Sequence, residues 1–237
     1  MTSTTYNGDC VSYMQTLPDN SVDLTVTSPP YDNIRDYHGF TFDWKATIMQ
    51  LYRITKRGGV VVWVVADQTV DGSESGTSFR QALFAMECGF KLHDTMIWDK
   101  QTCTFPDTNR YLGCFEYMFV FSKDAPKAVN LLCDRPNIWA GTKAHATWRQ
   151  KDGTLKKKQM GQIFEDFGRR FNVWRLPNEK HNTTGHPAVF PLRLASIRSI
   201  KATLSEQQQQ RTQSKTKHTG RAIRKEAGKN ERLSPIH

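Results

Sequence analysis

The sequence of 237 residues has few cysteines, and their spacing forms no recognisable metal or disulfide pattern. Its five cysteines are odd in number, and no two of them form a Cys-x-x-Cys pair; they occupy positions 10, 88, 103, 114 and 133. Disulfide-stapled secreted folds and structural zinc sites both depend on such patterns. The cysteines therefore favour a protein of the reducing cytoplasm without a metal site.

Long apolar segments are also missing. No charged-then-apolar segment of the signal-peptide kind opens the sequence, and no apolar run approaches the roughly 20 residues that cross a bilayer. We find no internal repeat. A hydrophobic fraction of 38%, with six Trp and thirteen Phe, fits a globular body. We therefore expect a soluble, cytoplasmic protein that does not contact a membrane.

Negative charge is scarce near the carboxyl-terminal end. Residues 197–237 hold ten Lys/Arg against three Asp/Glu, whereas residues 1–196 hold 23 against 20. This tail lacks hydrophobic periodicity, which predicts disorder or irregular helix. Because the tail supplies most of the net charge of +10, the pI of 9.4 is a weak argument for nucleic-acid binding.

Hydrophobic patterning predicts alternating strands and helices. The predicted strands are residues 4–9, 22–27, 60–65, 90–98 and 114–122, and the predicted helices are residues 10–17, 44–55 (with Asp43 as N-cap) and 77–88 (capped by Thr77 or Ser78). The β-branched run Val60–Val65 is typical of a parallel strand covered on both faces. Gly58-Gly59 predicts a break before that strand, and Asp71–Gly76 predicts a flexible loop. Because no helix separates the last two strands, we expect an α/β sheet with an antiparallel edge strand.

The most informative segment is Thr27-Ser28-Pro29-Pro30-Tyr31, at the end of a predicted strand. The prolines have no N–H, so backbone carbonyls there can accept hydrogen bonds from a ligand. The Ser28 hydroxyl can also accept from an amine, and Tyr31 can stack on a base. These groups suit a flipped nucleobase that is methylated on its exocyclic amine. An ordinary turn is the alternative, and a hydrolase nucleophile is disfavoured because no Gly-x-Ser-x-Gly surrounds Ser28.

Further motifs follow in a fixed order along the chain. They are Tyr6–Cys10, Leu51–Ile54 with Lys56–Val60, Phe115–Phe121 and Gly185–Pro191. With them, residues 4–196 resemble the permuted (β-class) DNA N4-cytosine/N6-adenine amino-methyltransferases, in which the catalytic half precedes the cofactor half. The resemblance implies the Rossmann-like methyltransferase fold, S-adenosyl-L-methionine as cofactor and double-stranded DNA as substrate. It also implies a restriction–modification system of a bacterial or phage-infected cell.

The resemblance assigns roles to individual residues. Ser28 Oγ and the Pro29 carbonyl hold the target amine, Pro30 keeps the loop rigid, and Tyr31 stacks on the base. The residues implied at the cofactor are Asp9, Cys10, Thr27, His186, Pro187 and Phe190. For Asp9, which would meet the cofactor's adenine amine, the alternative is a turn residue at a strand end. Serine in the first motif position slightly favours cytosine N4 over adenine N6, and both remain open.

The sequence departs from the family pattern after Phe190-Pro191. The family continues with a strand that ends in Phe-x-Gly-x-Gly beneath the cofactor's methionine, whereas residues 197–237 contain only Gly220 and Gly228, neither after an apolar run. We therefore expect an apparently truncated chain with an incomplete sheet that lacks the cofactor-half strands. The strand at 22–27 should have one uncovered side, and the strand at 4–8 should lack its neighbour. An open sheet edge favours pairing, so we expect self-association or a second chain, and weak cofactor binding.

Between about residues 130 and 180 the sequence is basic with interleaved aromatics. Asp152-Gly153 is a hairpin turn signal, and the neighbouring candidates for DNA contact are Arg149, Lys151, Lys156, Lys157 and Lys158. A solvated charge run is the alternative. We expect a catalytic half at 1–129, a target-recognition region at 130–180, the start of the cofactor half at 181–196 and a basic tail at 197–237.

Two hypotheses follow from these patterns. The first is a site-specific DNA amino-methyltransferase. The second is a truncated or split fragment that binds DNA but is inactive without a cofactor-binding partner. Both share Thr27–Tyr31, and the missing glycine turn separates them.

Overall fold

The computed structural model describes residues 4–30, 32, 42–102, 108–144, 146–158, 161–178, 191 and 194. Three helices and eleven strands lie in these residues. In chain order they are α1 (Cys10–Thr16), β1 (Val22–Thr27), α2 (Trp44–Ile54), β2 (Thr55–Val65), β3 (Thr69–Val70), β4 (Ser73–Glu74), α3 (Thr77–Glu87), β5 (Lys91–Asp99), β6 (Phe115–Ser122), β7 (Arg135–Pro136), β8 (Ala146–Arg149), β9 (Leu155–Lys158), β10 (Phe167–Gly168) and β11 (Val173–Arg175).

The main sheet has five strands in the order β1-β2-β6-β5-β11. β1 pairs with β2 in parallel, and β11 pairs with β5 in parallel. The antiparallel strand that we expected is β6, but it lies in the middle of the sheet rather than at its edge, between β2 and β5. β6 follows β5 along the chain and pairs with it, and its other side pairs with β2. The edges are β1 and β11.

The buried run of β2 supports the core on both sides of the sheet. Val61, Trp63 and Val65 pack against the three helices, where Met14, Ile48 and Leu51 are also buried. The side chains between them, Val62 and Val64, point to the opposite face because strand residues alternate, and they are buried too. The prediction of a strand covered on both faces is confirmed.

Local capping fixes the ends of the first two helices. The Asp43 carboxylate accepts a hydrogen bond from the Ala46 amide at 3.0 Å, which confirms it as the N-cap of α2. Arg53, in the last turn of α2, donates to the carbonyls of Met14 and Leu17 at 2.6 and 2.9 Å. The Met14 carbonyl also accepts from the Leu17 amide at the end of α1. Arg53 therefore adds side-chain hydrogen bonds to the end of α1 and ties α1 to α2.

Residues 4–9 form no strand, contrary to our expectation. The segment instead leads directly into α1, and Tyr6 stacks on Tyr13 with ring centroids 4.2 Å apart. A strand requires a hydrogen-bonded neighbour, and no described strand lies beside this segment. The absence of a strand here agrees with our expectation from the sequence that this segment would lack its neighbouring strand.

Gly58-Gly59 does not separate α2 from β2. The strand begins at Thr55, immediately after the helix, and the glycines form an irregularity within it. Val22 pairs with Thr55 and Leu24 with Val60, so two steps along β1 match five along β2. Gly58 has φ of 79°, which glycine adopts without strain. A Cβ on Gly59 would lie 2.9 Å from the Lys56 carbonyl oxygen, so this turn in the strand requires glycine.

The segment at 71–76 is a tight hairpin rather than a flexible loop. β3 and β4 pair in an antiparallel manner around Asp71 and Gly72, whose φ values of 50° and 76° both lie in the left-handed region. Such values are typical of two-residue hairpin turns. α3 then begins with Gly76 as N-cap, and neither Thr77 nor Ser78 caps it as we expected.

The described residues between 132 and 170 form a two-stranded arm. Its antiparallel backbone is joined by hydrogen bonds from Arg170 N to Leu132 O at 2.8 Å, from Asn137 N to Asp166 O at 2.9 Å and from Ala144 N to Gln162 O at 2.7 Å. The arm ends in the β8–β9 hairpin, whose turn contains Asp152-Gly153 as predicted. In the part of the chain that the structure describes, no helix is long and apolar enough to cross a membrane.

Candidate active site

The segment Ser28-Pro29-Pro30 leaves the sheet at the carboxyl end of β1. Thr27, the last residue of β1, pairs with Trp63 near the end of β2. Because the two strands are parallel, their carboxyl ends open on the same edge of the sheet, the usual position of ligands in open α/β sheets. Pro29 is buried and Ser28 is exposed. The segment therefore has a buried proline and an accessible hydroxyl next to each other.

Asp32 anchors the segment that follows the prolines. Its Oδ2 accepts from the Ser75 hydroxyl at 2.5 Å and from the Gln68 amide at 3.1 Å. Asp32 has φ of 49°, a left-handed conformation that Asp and Asn tolerate better than most residues. Gln68 and Ser75 flank the β3–β4 hairpin and are joined by a backbone hydrogen bond of 2.8 Å. Asp32 thus ties the Ser28–Pro30 segment to this hairpin.

The hydrogen bonds to Asp32 also keep it charged. Burial raises the pKa of Asp32, but hydrogen bonds from Ser75, Thr77 and the Gln68 amide lower it more. The net result is a pKa below the ordinary value for Asp. Asp32 is therefore ionised near neutral pH, and its anchoring hydrogen bonds are charge-assisted.

The side chain of a second aspartate, Asp67, reaches the start of α3. Its Oδ1 accepts from the Ser78 amide at 2.9 Å and from the Ser75 hydroxyl at 3.1 Å, and its Oδ2 accepts from the Ser78 hydroxyl. Ser75 therefore lies between the Asp32 and Asp67 carboxylates. A carboxylate at a helix N-terminus is favoured by the helix dipole. Because the protein's own carboxylate fills this position, the start of α3 is poorly suited to a phosphate group.

The two amino-terminal candidates for the cofactor lie at the start of α1. Asp9 is the N-cap, and its Oδ1 accepts from the Ser12 amide at 2.8 Å. That backbone hydrogen bond lowers the pKa of Asp9 below its ordinary value. Cys10 is exposed, with its Sγ 3.9 Å from Thr47 Oγ1 in α2. Asp9 is thus neither a strand end nor a simple turn residue, and its carboxylate is ionised and accessible.

Several predicted site residues lie outside the described residues. They are Tyr31, His186, Pro187 and Phe190. The basic candidates Arg149, Lys151, Lys156 and Lys157 are all exposed on the β8–β9 hairpin, and Lys158 is the last residue of β9. The described contacts bring together Thr27, the Ser28–Pro30 segment and Asp32. They show no contact between this group and either Asp9 or the β8–β9 hairpin.

Sequence reasoning missed Asp32, Asp67, Ser75 and Ser78. The only local signal was position: Asp32 follows the predicted catalytic segment by one residue, and Asp67 follows the buried β2 run by two. Polar residues directly after buried strands tend to meet at one sheet edge, and that pattern could have identified both aspartates. Their connection through Ser75 depends on tertiary structure.

Comparison of the sequence with known proteins places this chain in a family. A model of the N6/N4 methyltransferase family, described as DNA methylase, matches residues 22–214. The orphan methyltransferase M.BamHII of Bacillus amyloliquefaciens is 51% identical over 189 residues, which cover 76% of this chain and 71% of that protein. The type II methyltransferase M.BglII of Bacillus subtilis is 28% identical, over 78% of this chain and 52% of its own length.

A solved structure supports the fold. The cytosine-N4-specific PvuII DNA methyltransferase superposes with a TM-score of 0.51 at 17% identity, covering 80% of this chain and 66% of that one. This likeness confirms the methyltransferase fold that we expected, with its incomplete sheet in the described residues. Together with the match over most of the sequence, it leads to one conclusion: the chain belongs to the N6/N4 DNA methylase family.

Proposed function

We propose that this chain transfers a methyl group from S-adenosyl-L-methionine to the exocyclic amine of a flipped base in double-stranded DNA. The observation that carries the proposal is the exposed Ser28 beside the buried Pro29 at the carboxyl edge of β1 and β2, in a chain of the DNA methylase family. Methylation of an exocyclic amine requires an accessible acceptor on a fixed backbone, because the acceptor holds an N–H bond of that amine.

Exocyclic amines of cytosine and adenine are weak nucleophiles because the nitrogen lone pair is delocalised into the ring. Ser28 Oγ and the Pro29 carbonyl would accept the two N–H bonds and favour a pyramidal nitrogen, whose lone pair then points away from both acceptors. Pro30 restricts the backbone, and Asp32 anchors it through Ser75 and Gln68. Such restriction matters because in-line transfer depends on alignment. Tyr31 would stack on the base.

The cofactor supplies an electrophilic methyl group on a sulfonium. The chain has a residue that fits the polar adenine end of the cofactor. The Asp9 carboxylate is ionised and exposed, and an ionised carboxylate accepts hydrogen bonds from an amine such as that of adenine. Asp9 would meet the adenine end. The remaining residues that we assign to the cofactor are Cys10, Thr27, His186, Pro187 and Phe190.

Cytosine N4 is the target that we favour over adenine N6. The argument is the Ser28 hydroxyl in the first position of the motif, together with the likeness in fold to a cytosine-N4-specific enzyme. The preference is tested by digesting methylated DNA to nucleosides and identifying the product by mass. N6-methyladenine as the sole product would refute it.

Substitution of the proposed acceptor tests the reaction. Ser28→Ala should lower methyl transfer from labelled S-adenosyl-L-methionine about tenfold to a hundredfold. The target amine becomes positively charged as it accepts the methyl group, and a hydrogen bond to a charged group contributes about 1.5–3 kcal/mol. Tyr31→Ala should also lower turnover more than DNA binding. Ser73→Ala, at an exposed serine in β4, is the control and should leave turnover unchanged. Normal turnover in both site variants would contradict the assigned roles.

A second candidate function is that of a DNA-binding half that needs a cofactor-binding partner. It is favoured by the sheet edge, because β1 pairs only with β2 among the described strands and residues 4–9 form no strand. Calorimetry with S-adenosyl-L-methionine on the purified chain separates the two candidates. Micromolar binding by a monomer would exclude the second, and absent binding with retained DNA binding would support it.

A further inference from the structure

The loop between β5 and β6 leaves the sheet at the same edge as Ser28. β6 is antiparallel to both β2 and β5, so β5 runs in the same direction as β1 and β2. The carboxyl end of β5 and the start of β6 therefore lie at the edge where the Ser28–Pro30 segment emerges. At the base of the loop, the Lys100 amide donates to the Cys114 carbonyl at 2.7 Å. The loop thus begins and ends at the edge that carries the proposed active site.

Two large apolar side chains of this loop face solvent. Tyr111 is fully exposed, at 102% of its reference surface, so no other part of the described chain covers its ring. Leu112 beside it is 58% exposed. The aromatic residues that follow differ, because Phe115 and Tyr117 contact each other with ring centroids 5.3 Å apart. A single exposed apolar residue needs no explanation, but an adjacent pair at the active edge is suited to a partner that comes to that edge.

Hydrogen bonds connect this loop to the proposed catalytic segment. The Arg110 guanidinium donates to the carbonyl of Gly72, at the turn of the β3–β4 hairpin. The other end of that hairpin binds Asp32 through the two hydrogen bonds described above. The paired strands of the hairpin fix the distance between these two attachment points. Because Tyr111 directly follows Arg110, the hairpin positions it relative to Ser28.

We propose that Tyr111, together with Leu112, is a wedge that enters the base stack of double-stranded DNA and fills the space that a flipped base leaves. The proposal rests on the proposed function, because it concerns how the target base is brought to Ser28. A base leaves the duplex only if its stacking and pairing are lost. An aromatic ring that stacks on the neighbouring bases replaces part of the lost stacking, and inserted apolar side chains separate base steps in the same way.

The two ends of the β3–β4 hairpin then position two different contacts to the DNA. Ser28 holds the amine of the target base outside the duplex, while Tyr111 occupies the position that the base has left. Stacking uses the face of the ring rather than its hydroxyl, and it tolerates any sequence because every base has such a face. The wedge therefore lowers the cost of flipping without reading the recognition sequence, which distinguishes its role from that of a target-recognition region.

Binding to a duplex with one abasic site tests the wedge without methyl transfer or cofactor. Such a duplex already contains the vacant space, so the full wild-type chain should bind a fluorescent abasic duplex about fivefold or more tightly than the fully paired duplex. Tyr111→Ala should reduce this preference to less than about twofold, because the ring that fills the space is gone. Tyr111→Phe keeps the stacking face and should retain the preference.

A control variant separates the wedge from general effects of losing an exposed apolar side chain. Leu83→Ala, at a residue of α3 that is 59% exposed, should leave the preference for the abasic duplex unchanged. Because Tyr111 is fully exposed, Tyr111→Ala should also melt at the same temperature as the wild type. A lost preference then reports on DNA binding and not on folding.

Methyl transfer measured in parallel distinguishes this proposal from the proposed function. If an active wild-type chain binds both duplexes equally, or if Tyr111→Ala retains the preference, the wedge is wrong and the function stands. If the preference depends on Tyr111 in a chain that transfers no methyl group, the wedge is supported and the proposed reaction is wrong. Failure of the wild-type chain to bind either duplex would overturn both.

Discussion

The hydrogen bond between Trp63 and Gln81 connects the active edge of the sheet to α3, and its removal should have a measurable cost. Trp63 Nε1 donates to Gln81 Oε1 at 2.8 Å, and each residue is only 1% exposed. Trp63 also pairs with Thr27, the residue before Ser28. Gln81→Met keeps a similar volume and helix propensity but removes the acceptor.

The magnitude follows from burial. Water cannot replace the lost acceptor, so the Trp63 N–H remains unsatisfied, at a cost of about 1–3 kcal/mol. In a domain of this size, each kcal/mol lowers the melting temperature by about 2–4 °C. We therefore expect Gln81→Met to melt about 2–12 °C below the wild type.

A double-mutant cycle isolates the hydrogen bond from the other effects of each substitution. Trp63→Phe removes the donor and also leaves a cavity, so its own cost is larger. Once Trp63 is Phe, Gln81→Met no longer leaves a donor unsatisfied. Urea unfolding of the four proteins should give a coupling free energy of about 1 kcal/mol or more.

A control on the same helix guards against a general effect of methionine. Arg80→Met, at the exposed neighbour of Gln81, should change the free energy of unfolding by less than about 0.5 kcal/mol. A coupling near zero, or equal destabilisation by both methionine variants, would refute the argument that this buried pair stabilises the edge.

Three further predictions concern the site and the open edge. Because its folded pKa is lowered, Asp32 stabilises the fold above its unfolded pKa and loses that contribution as the pH falls through the folded value; Asp32→Asn should remove this part of the acid dependence in urea unfolding between pH 7 and pH 3. Leu24→Lys, at a half-exposed residue of β1, should increase the monomer fraction in sedimentation velocity if the edge self-associates, and the exposed Lys91→Leu should not. Asp9→Asn should preserve α1, since Asn caps as well as Asp, so weaker binding of S-adenosyl-L-methionine in this variant would assign the carboxylate to the cofactor and unchanged binding would restrict Asp9 to capping.

Elements with local signals were predicted well from the sequence. Asp43 marks the start of α2 because its side chain caps the helix within three residues. Asp152-Gly153 marks the hairpin because a tight turn requires these residue types. The β-branched run of β2 predicts burial on both faces because each of its side chains is apolar. In these cases the deciding interaction lies within a few residues.

The failures depend on distant partners. Residues 4–9 have a strand-like sequence, but a strand needs a neighbour and none is described beside them. The N-cap of α3 is Gly76 rather than Thr77 or Ser78, and the Ser78 amide donates to Asp67, eleven residues upstream. β11 joins the sheet beside β5 although it follows the arm by sequence. The division into domains remains a prediction.

The position of β1 has a consequence for the coupling between assembly and catalysis. β1 carries Ser28 at its end and is held by backbone hydrogen bonds on one side only within the described sheet. Amide exchange should therefore be faster in β1 than in β2, since strands paired on one side open at lower free energy. A strand that pairs with the free side would lower the rate of opening and order Ser28 at the same time. By linkage, whatever binds the ordered Ser28 segment must strengthen that pairing by the same factor. The edge would then act as an energetic connection between substrate and partner.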